Sequence, residues 1–399
     1  MSAEQKQPAP PPRRPTTVLH VFGIAPGGGS AATALRQMCG MAARGHRVIL
    51  ATAPSLGWAD KVAGTGVELR ETLSLNRGFR PISFMRDAGV LKRLIRDEAV
   101  DIVHLHKAVG YIVGAYAAWR ARRQGRPKVV RSRGVVFPIR SHVFNRWLHN
   151  SLTDRVIVTA ETIKDMYAGL AGFDASKVVL IHDGLDVSAF DRTPERAAAR
   201  SRFGLPERAT VIGCVARAAE VKGHRCLLEA FAGVREAVPD ARLFLVTYAY
   251  RPSDIDRLRR WVAESPAADG VTVHDGYMED PRAAYAAMDI YVLSSTGSEG
   301  SSRATLEAMA ASLPVVATRV GVLPDIVADR ETGVLVAPGD AGALADAITD
   351  LVKSDEKARA MGAAGRARAR ELFTEEMSLD RIEELYLELT TGHTVPEAG

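Results

Sequence analysis

The chain has 399 residues, of which 47% are hydrophobic and 25% charged. This balance is typical of a globular protein large enough for two domains, and it excludes a fibrous or broadly disordered chain. The three cysteines are odd in number and lack CxxC spacing, which favours a reducing compartment and gives no support to a disulfide framework or a zinc site.

The net charge of +5 is unevenly distributed. Residues 1–190 hold 27 Lys and Arg against 14 Asp and Glu, a net +13, whereas the remainder holds 25 against 33, a net −8. A basic half indicates contact with something anionic, such as a phosphorylated substrate or a membrane surface. We expect no nucleic acid partner, because no RNA- or DNA-binding signature accompanies the charge.

Residues 1–15 are polar and proline-rich, which predicts a disordered tail rather than a signal peptide. No later stretch reaches the roughly 18 consecutive apolar residues of a membrane-spanning helix. We therefore expect a cytoplasmic protein. Peripheral association with the cytoplasmic face of the inner membrane is left open.

Short runs rich in Val, Ile and Leu alternate with amphipathic stretches, which is typical of parallel strands covered by helices on both faces. In the first half these runs are TTVLHVF, HRVILAT, VDIVHLH, KVVRSR, DRVIVT and KVVLIH. After a charged stretch the pattern restarts with ATVIGCVA, ARLFLVTY, GVTVHDG, DIYVLSS, LPVVAT and GVLVAP. The sequence predicts an α/β chain of two doubly wound domains, at 16–190 and 191–372, followed by helices with Gly365 as a candidate break.

The first run leads into the glycine-rich stretch FGIAPGGGSAATAL. Gly27, Gly29 and Ala32 satisfy the loose pattern G-x-G-x-x-A, which lets backbone approach a pyrophosphate. An NAD or FAD site also needs a carboxylate about twenty residues on, where this chain has Ala51 and Thr52. A dinucleotide oxidoreductase is therefore disfavoured, and a loop that only turns the backbone stays an alternative.

His104 and His106 end the run VDIVHLH. Because side chains alternate along a strand, we expect one of them to face inward and the other outward. A zinc site is disfavoured for lack of a third ligand at suitable spacing. A histidine facing the ligand cleft and a packed structural histidine both remain open.

Basic and aromatic residues are mixed between positions 131 and 148. The segment PIRSHVFNRWLHN would place Phe144, Trp147 and Leu148 beside arginines, as in a helix lying on an anionic membrane. A solvated helix end is the alternative. The candidates for acceptor or membrane contact are Arg131, Arg133, Arg140, Arg146 and Trp147.

The second half carries two charged motifs. In CVARAAEVKGHRCLLEAF, Arg217 follows a strand and Lys222 precedes a helix, where two cations can neutralise a diphosphate or merely be solvated. In SEGSSRATLEAMAASLPVVAT, Glu299 and Glu307 flank a predicted helix start at Ser302 or Arg303. Complementarity with the helix dipole explains one such glutamate without any ligand.

In this order, these motifs resemble the retaining nucleotide-sugar glycosyltransferases of family four, the glycosyl transferases group 1. The resemblance also rests on TGVLVAPGD and VVLIHDGLDVSAF and covers residues 16 to 392. It implies the GT-B fold, in which two Rossmann-like parallel-sheet domains face each other across a cleft. It also implies that a C-terminal helix, at about 373–392, returns to the first domain.

The resemblance implies roles for individual residues. Arg217 and Lys222 would bind the donor diphosphate and Glu307 the ribose. Glu299 and His106 would be the catalytic residues, in contact with the transferred sugar. Further donor contacts would come from Gly28, Gly29, Ser301, Ser302 and Arg303.

The implied reaction is retaining, metal-independent transfer without a cofactor. It moves a sugar from a nucleotide-diphosphate sugar to a cell-envelope glycan or lipid-linked acceptor, of lipopolysaccharide core or polysaccharide type. Ser301 to Arg303 depart from the hydrophobic or aromatic residue that the family often has there, which leaves the sugar open. The alternative is a non-catalytic protein of the same fold that binds a nucleotide sugar or a polyanion.

Overall fold

The computed structural model describes residues 15–27, 29–75, 80–123, 127–192, 194–297 and 299–392. Two sequence-based predictions fall outside these ranges. They are the N-terminal tail up to residue 14 and the ligand role of Gly28.

The strands of the first half form one sheet. They are β1 (Thr17–Phe22), β2 (Arg47–Ala51), β3 (Glu68–Arg70), β4 (Ile102–His106), β5 (Lys128–Arg133), β6 (Arg155–Val158) and β7 (Val178–Leu180). Their order is β3-β2-β1-β4-β5-β6-β7, and the pairings from β3 to β5 are parallel. The central strands are almost wholly buried, as expected for a sheet covered on both faces.

The strands of the second half form another sheet. They are β8 (Val211–Val215), β9 (Arg242–Thr247), β10 (Val271–Asp275), β11 (Ile290–Leu293), β12 (Val315–Thr318) and β13 (Gly333–Val336). Their order is β10-β9-β8-β11-β12-β13, and every pairing is parallel. The predicted fold class, two doubly wound parallel sheets with helices, is confirmed.

Helices alternate with these strands along the chain. They are α1 (Gly29–Ala43), α2 (Ala59–Val62), α3 (Pro81–Asp97), α4 (Lys107–Ala121), α5 (Val143–Leu152), α6 (Glu161–Ala168), α7 (Arg196–Arg202), α8 (His224–Ala237), α9 (Pro252–Glu264), α10 (Arg282–Ala286), α11 (Arg303–Ala310), α12 (Leu323–Ile326), α13 (Ala341–Val352), α14 (Asp355–Leu372) and α15 (Glu375–Thr391). The break expected at Gly365 is wrong, since α14 continues through it. Gly365 is buried in α14, beside Met309 of α11.

The strand order reverses beside the first strand of each sheet. β1 lies between β2 and β4, and β8 lies between β9 and β11. At such switch points the following loops leave toward opposite faces of the sheet, and doubly wound folds bind ligands there, beyond the C-terminal strand ends. His106 ends β4, Arg217 follows β8 and Glu299 follows β11, so all three lie at these positions.

The chain packs as two compact units. Among the described residues, the first comprises those within 15–133, 142–156 and 382–392, and the second those within 134–141 and 157–381. The boundary crosses α15, whose final part belongs to the first unit. There Glu383 accepts hydrogen bonds from Arg44 at 2.9 Å and pairs with His46 at 3.2 Å. The domain limits predicted from the sequence, 16–190 and 191–372, separate the two sheets and differ from the limits of the compact units. They stay a prediction.

Candidate functional site

The turn after β8 carries Lys222, one of the predicted diphosphate ligands. Lys222 ends a short 3₁₀ turn, and Gly223 then takes a left-handed φ of +69° before α8 begins. A Cβ on Gly223 would lie 1.9 Å from the Ser294 carbonyl oxygen, so the turn requires glycine. Ser294 Oγ donates to the Lys222 carbonyl oxygen at 3.2 Å, and this bond fixes the turn against the end of β11.

Arg217 is held by an aromatic cluster at the same edge of the sheet. Its guanidinium carbon lies 4.7 Å from the centroid of the Tyr250 ring. Tyr248 packs edge-on against both Tyr250 and Tyr277, with centroid separations of 5.8 and 5.5 Å. A guanidinium that stacks by its face keeps its N–H groups in the plane, where they can meet an anion.

Lys222 and Glu299 form an ion pair within the second unit. Lys222 Nζ lies 2.5 Å from Glu299 Oε1, and the Ser295 hydroxyl donates to the same oxygen. Glu299 is only 3% exposed, so its carboxylate depends on these partners. The pair joins the loop after β8 to the loop after β11, which brings together two residues 77 positions apart.

The loop that carries Glu299 is fixed through its backbone. Val322 N donates to the Glu299 carbonyl oxygen at 2.9 Å, and a Cβ on Gly321 would lie 1.9 Å from that oxygen. On the other side, a Cβ on Gly300 would lie 1.8 Å from the Gly134 carbonyl oxygen. Glycine is therefore needed at both positions for the loop to approach its neighbours this closely.

Glu307 lies in α11, and each of its carboxylate oxygens has a partner. Tyr285 Oη donates to Oε2 at 2.9 Å, and Arg303 Nε donates to Oε1 at 2.7 Å. Burial, and secondarily the Glu307 charge, hold the pKa of Tyr285 well above its ordinary value, so the tyrosine stays a donor. Tyr285 and Ser295 were not predicted from the sequence.

The start of α11 is strained and incompletely satisfied. Ser302 precedes the helix with φ +40° and ψ +49°, a left-handed conformation that costs energy for a residue with a side chain. Arg303 Nη1 is buried and has no hydrogen-bond partner among the described residues. Orphaned donors and strained backbone are more frequent at ligand sites than elsewhere. The predicted helix start at this point is confirmed.

Cys214, the cysteine that senses the charges of Lys222 and Glu299, offers no nucleophile. Cys214 lies on β8 and is fully buried. Burial raises the pKa of its thiol to about 12, which keeps it protonated and unreactive at neutral pH.

His104 and His106 lie on the same face of the first sheet, so the expectation that one faces inward and the other outward is wrong. Residues two apart on a strand share a face, and the two rings stack with centroids 4.4 Å apart. Both are buried. His106 ends β4, and Lys107 follows with a left-handed φ of +60° at the start of α4.

A third histidine, His20 of β1, joins this pair and was missed from the sequence. Its Nδ1 lies 3.0 Å from His106 Nε2. The register pairs His20 with His104 across two parallel strands. The histidines in TTVLHVF and VDIVHLH, aligned by their strand ends, could have predicted this contact.

Comparison with protein families is decisive for the class of protein. Residues 209–354 match the family "Glycosyl transferases group 1", and residues 27–189 match "Glycosyltransferase Family 4". This chain belongs to the group 1 glycosyltransferases. The first match contains Lys222 and Glu299, and the second contains His106.

Solved structures show that this glycosyltransferase has the GT-B fold. A glycosyltransferase of Rickettsia africae superposes with a TM-score of 0.85 at 21% identity, over 96% of this chain and 100% of that one. HepE of Anabaena, solved with UDP and glucose, superposes with a TM-score of 0.79 at 19% identity, over 93% and 99%.

Curated relatives of the glycosyltransferase share more of its sequence. A D-inositol 3-phosphate glycosyltransferase of Corynebacterium kroppenstedtii is 32% identical over 52% of this chain, and the match spans 48% of the relative's length. A GDP-mannose-dependent alpha-(1-6)-phosphatidylinositol monomannoside mannosyltransferase of Mycobacterium tuberculosis is 29% identical over 69% of this chain and 73% of the relative. The second name states a GDP-mannose donor and the first states no donor, and the two names state different acceptors.

The remaining site candidates of the glycosyltransferase occupy different environments. Gly29 is the exposed first residue of α1. The Arg131 guanidinium stacks on the Tyr111 ring at 4.0 Å, where Tyr111 is buried. Arg133 ends β5, and Arg140 is exposed before α5.

The α5 helix of the glycosyltransferase has one exposed apolar side. Val143 is 72% exposed, Phe144 44% and Trp147 40%, and Arg146 on the same helix is half-buried. Leu148 is only 2% exposed and faces the core, so the prediction that it lies beside arginines on a membrane-contacting side of this helix is wrong. Among the described residues, no helix is both long and apolar enough to cross a bilayer.

Proposed function

We propose that this glycosyltransferase moves a sugar from a nucleotide-diphosphate sugar to a cell-envelope glycan or lipid-linked acceptor, with retention of configuration. The observation that carries the proposal is the ion pair between Lys222 and the buried Glu299, at the switch point of the second sheet. It provides a cation for a leaving phosphate and a carboxylate for sugar hydroxyls in one place.

Arg217 and Lys222 are assigned to the diphosphate. Departure of a nucleotide diphosphate builds negative charge, which fixed cations stabilise most when they are already oriented. An ammonium has three N–H donors, and the bond to Glu299 uses one of them. The Tyr250 ring stacks on the Arg217 guanidinium and helps to orient it.

The two glutamates are assigned to hydroxyl groups. Glu299, oriented by Lys222 and Ser295, accepts hydrogen bonds from the transferred sugar. Glu307, oriented by Tyr285 and Arg303, accepts from the ribose. The backbone N–H groups of Ser301, Ser302 and Arg303 assist as a helix N-terminus. Gly29 and His106, which lie in the first unit, keep the donor and sugar roles that the family resemblance implies, and Gly28 lies outside the described residues.

The proposed chemistry needs no metal. The acceptor oxygen forms a bond to the anomeric carbon on the face from which the diphosphate departs, and the carbon–oxygen bond to the diphosphate breaks with its electron pair. The acceptor proton passes to a phosphate oxygen of the leaving group. Cationic side chains and a helix N-terminus supply the charge stabilisation that a metal gives elsewhere.

The acceptor class is assigned from the names of the relatives and from the charge of the first half. The names of the relatives include an inositol phosphate and a phosphatidylinositol mannoside, which are anionic acceptors. The first half of this chain is basic, and α5 exposes aromatic residues next to Arg146. Aromatic and basic side chains on one helix suit the interface of an anionic membrane.

Donor use is tested by thermal shift and transfer assays with UDP, GDP, ADP and CMP sugars. We expect one class of nucleotide sugar to raise the melting temperature and to be consumed. Lys222→Met and Glu299→Gln should abolish transfer. Matched controls are Arg259→Met and Asp275→Asn, which remove an exposed ion pair of the same unit and should leave transfer unchanged. Binding without transfer or hydrolysis of any donor would favour the non-catalytic alternative.

Stereochemistry and metal dependence are tested on the same preparation. The anomeric proton coupling of the product, followed by NMR from the first turnovers, should match that of the donor sugar. Excess EDTA should leave the rate unchanged. An inverted product, or a rate restored only by a divalent cation, would contradict the mechanism.

Membrane contact is tested by sedimentation with phosphatidylglycerol-containing vesicles at low salt. Phe144→Ser and Trp147→Ser should reduce the bound fraction, and phosphatidylcholine vesicles should bind little. Trp119→Ser on α4 is the control, because Trp119 is also exposed but lies outside α5. Equal sedimentation of all variants, or none with the wild type, would remove the membrane part of the proposal.

A further inference from the structure

Three buried histidine rings meet where β1 and β4 end. His20, His104 and His106 are each at most 5% exposed. The His20 ring is nearly parallel to that of His106, at 13° and a centroid distance of 5.2 Å, and its centroid lies 4.9 Å from that of His104. His106 is assigned above to the reacting sugar. His20 and His104 therefore determine the orientation and the protonated nitrogen of the His106 ring.

The proton in the His20–His106 contact can be placed by counting donors. A neutral imidazole has one N–H and one lone pair. His20 Nδ1 faces His106 Nε2 at 3.0 Å, so one of the two rings donates. His20 Nε2 is buried and has no hydrogen-bond partner among the described residues.

Donation by His106 and donation by His20 differ in whether His20 Nε2, which has no partner in the described part of the chain, carries a proton or a lone pair. If His106 donated, His20 would carry its proton on Nε2, and a buried N–H would have no acceptor. If His20 donates, the orphaned atom is a bare lone pair. Buried N–H groups without partners are rarer in proteins than acceptors without partners. The second arrangement is therefore favoured.

We infer that His20 is a positioning residue that donates Nδ1–H to His106 Nε2 and so holds His106 as the Nδ1–H tautomer. His106 then offers a neutral donor, rather than an acceptor, from its other ring nitrogen. The Nδ1–H group of His106 can then donate to the oxygen of a sugar hydroxyl and so orient that hydroxyl. This role rests on the proposed function, whereas the tautomer itself does not.

His104 supports the arrangement without competing for the shared proton. Its Nδ1 lies 2.5 Å from Tyr386 Oη and its Nε2 lies 2.7 Å from Ser132 Oγ. Hydroxyl groups can donate or accept, so both ring nitrogens of His104 are satisfied. The ring stacks on His106 and fixes its plane.

A metal ion is the competing occupant of the same cluster. One ring nitrogen from each histidine lies within 4.8 Å of the others, and imidazole is a frequent ligand of zinc and copper. To bind through His104, a metal would have to displace one of the two hydroxyl partners of that ring. Hydrogen bonds already satisfy most of these nitrogens, which favours the tautomer.

The tautomer is measured directly by long-range ¹H–¹⁵N NMR on full-length protein with labelled histidine. In the wild type, His106 Nε2 should have the shift of an unprotonated nitrogen and Nδ1 that of a protonated one. A protonated Nε2, or one transition-metal ion per chain after purification without chelators, would overturn the inference. This measurement stands even if no donor sugar is ever turned over.

Variants at position 20 test the link to the reaction. His20→Asn keeps an N–H near the Nδ1 position and should keep the His106 tautomer and a rate within about threefold of wild type. His20→Asp offers only an acceptor, so it should move the His106 proton to Nε2 and lower kcat about tenfold with donor KM little changed. If His20→Asp is folded and leaves both the tautomer and kcat unchanged, His20 does not position His106.

Discussion

Lys222 and Glu299 form a short ion pair at a place where one partner is nearly inaccessible to water. The glutamate side chain is 4% exposed and the lysine side chain 20%. A carboxylate at that depth is costly unless it is paired and hydrogen-bonded. The pair therefore connects the folding of the second unit to the group that would bind the leaving phosphate.

A double-mutant cycle measures this connection. Lys222→Met leaves the carboxylate buried without its cation and should lower the free energy of unfolding by about 3 kcal/mol. Lys222→Met combined with Glu299→Gln should cost at least about 1 kcal/mol less than the sum of the single variants. Urea unfolding of the wild type, the two single variants and the double variant gives the coupling free energy between Lys222 and Glu299. Additive effects would show that the ion pair is energetically unimportant.

Glu307 should control nucleotide affinity rather than stability. Glu307→Gln replaces the carboxylate with an amide and so removes a charge-assisted acceptor for Arg303 Nε or the ligand. Affinity for the nucleoside diphosphate should therefore fall about 10- to 100-fold. Isothermal calorimetry gives the affinity. Tyr285→Phe, which keeps the Arg303 bond, should lose less. Equal affinities for wild type and Glu307→Gln would refute the ribose assignment.

The histidine cluster should make the fold sensitive to acid. Burial lowers the pKa of His20 to about 3 and lowers the pKa values of His104 and His106 well below their ordinary value, and the Lys107 charge acts on His106 in the same direction. The folded rings stay neutral while the unfolded chain binds protons below about pH 6.5. The free energy of unfolding should therefore fall as the pH decreases from about 6.5 toward 3, by up to ~1.4 kcal/mol per pH unit for each histidine.

Urea unfolding at pH 7, 6 and 5 measures this slope. His20→Phe removes one of the three groups and should make the slope shallower, whereas His142→Gln changes an exposed ring before α5 and should not. Tyr386, which meets His104, has its pKa raised by burial and does not titrate in this range. An identical slope for His20→Phe and wild type would mean that His20 is not held neutral.

Gly223 should be intolerant of a single methyl group. Gly223→Ala must adopt a positive φ and move the Ser294 carbonyl, which costs about 1–3 kcal/mol and displaces Lys222. Gly342→Ala is the matched control, because Gly342 lies in α13 with its nearest neighbour 3.6 Å from the added carbon, and it should gain about 0.5 kcal/mol. Thermal unfolding and nucleotide binding give both effects, and normal binding by Gly223→Ala would contradict the role of this turn.

Most of the fold could be predicted from local sequence because buried parallel strands consist of uninterrupted apolar runs. β3 was missed because its residues, Glu68 to Arg70, are only half-buried and carry no such run. Gly365 misled because glycine is unfavourable within a helix in isolation, whereas here it lies buried in α14 and packs beside Met309 of α11. Tertiary packing outweighed local propensity at both places.

The sequence indicated candidate residues for the site but not the contacts between them. The direct pairing of Lys222 with Glu299 joins residues far apart in sequence, and no local pattern indicates it. Tyr285 and Ser295 were missed because a buried hydroxyl has no sequence signature until its acceptor is known. The roles of the predicted site residues stay predictions until the experiments above are done.

The contribution of α15 to the first unit has a consequence for synthesis on the ribosome. His104 and its hydroxyl partner Tyr386 are 282 residues apart, and at about 5–20 residues per second Tyr386 is made roughly 15–60 s after His104. Arg44 and His46 likewise lack their partner Glu383 until that residue has been synthesised. The nascent first unit is thus exposed to chaperones and proteases for that whole interval. A nonsense mutation shortly before position 383 would extend the exposure for the lifetime of the chain.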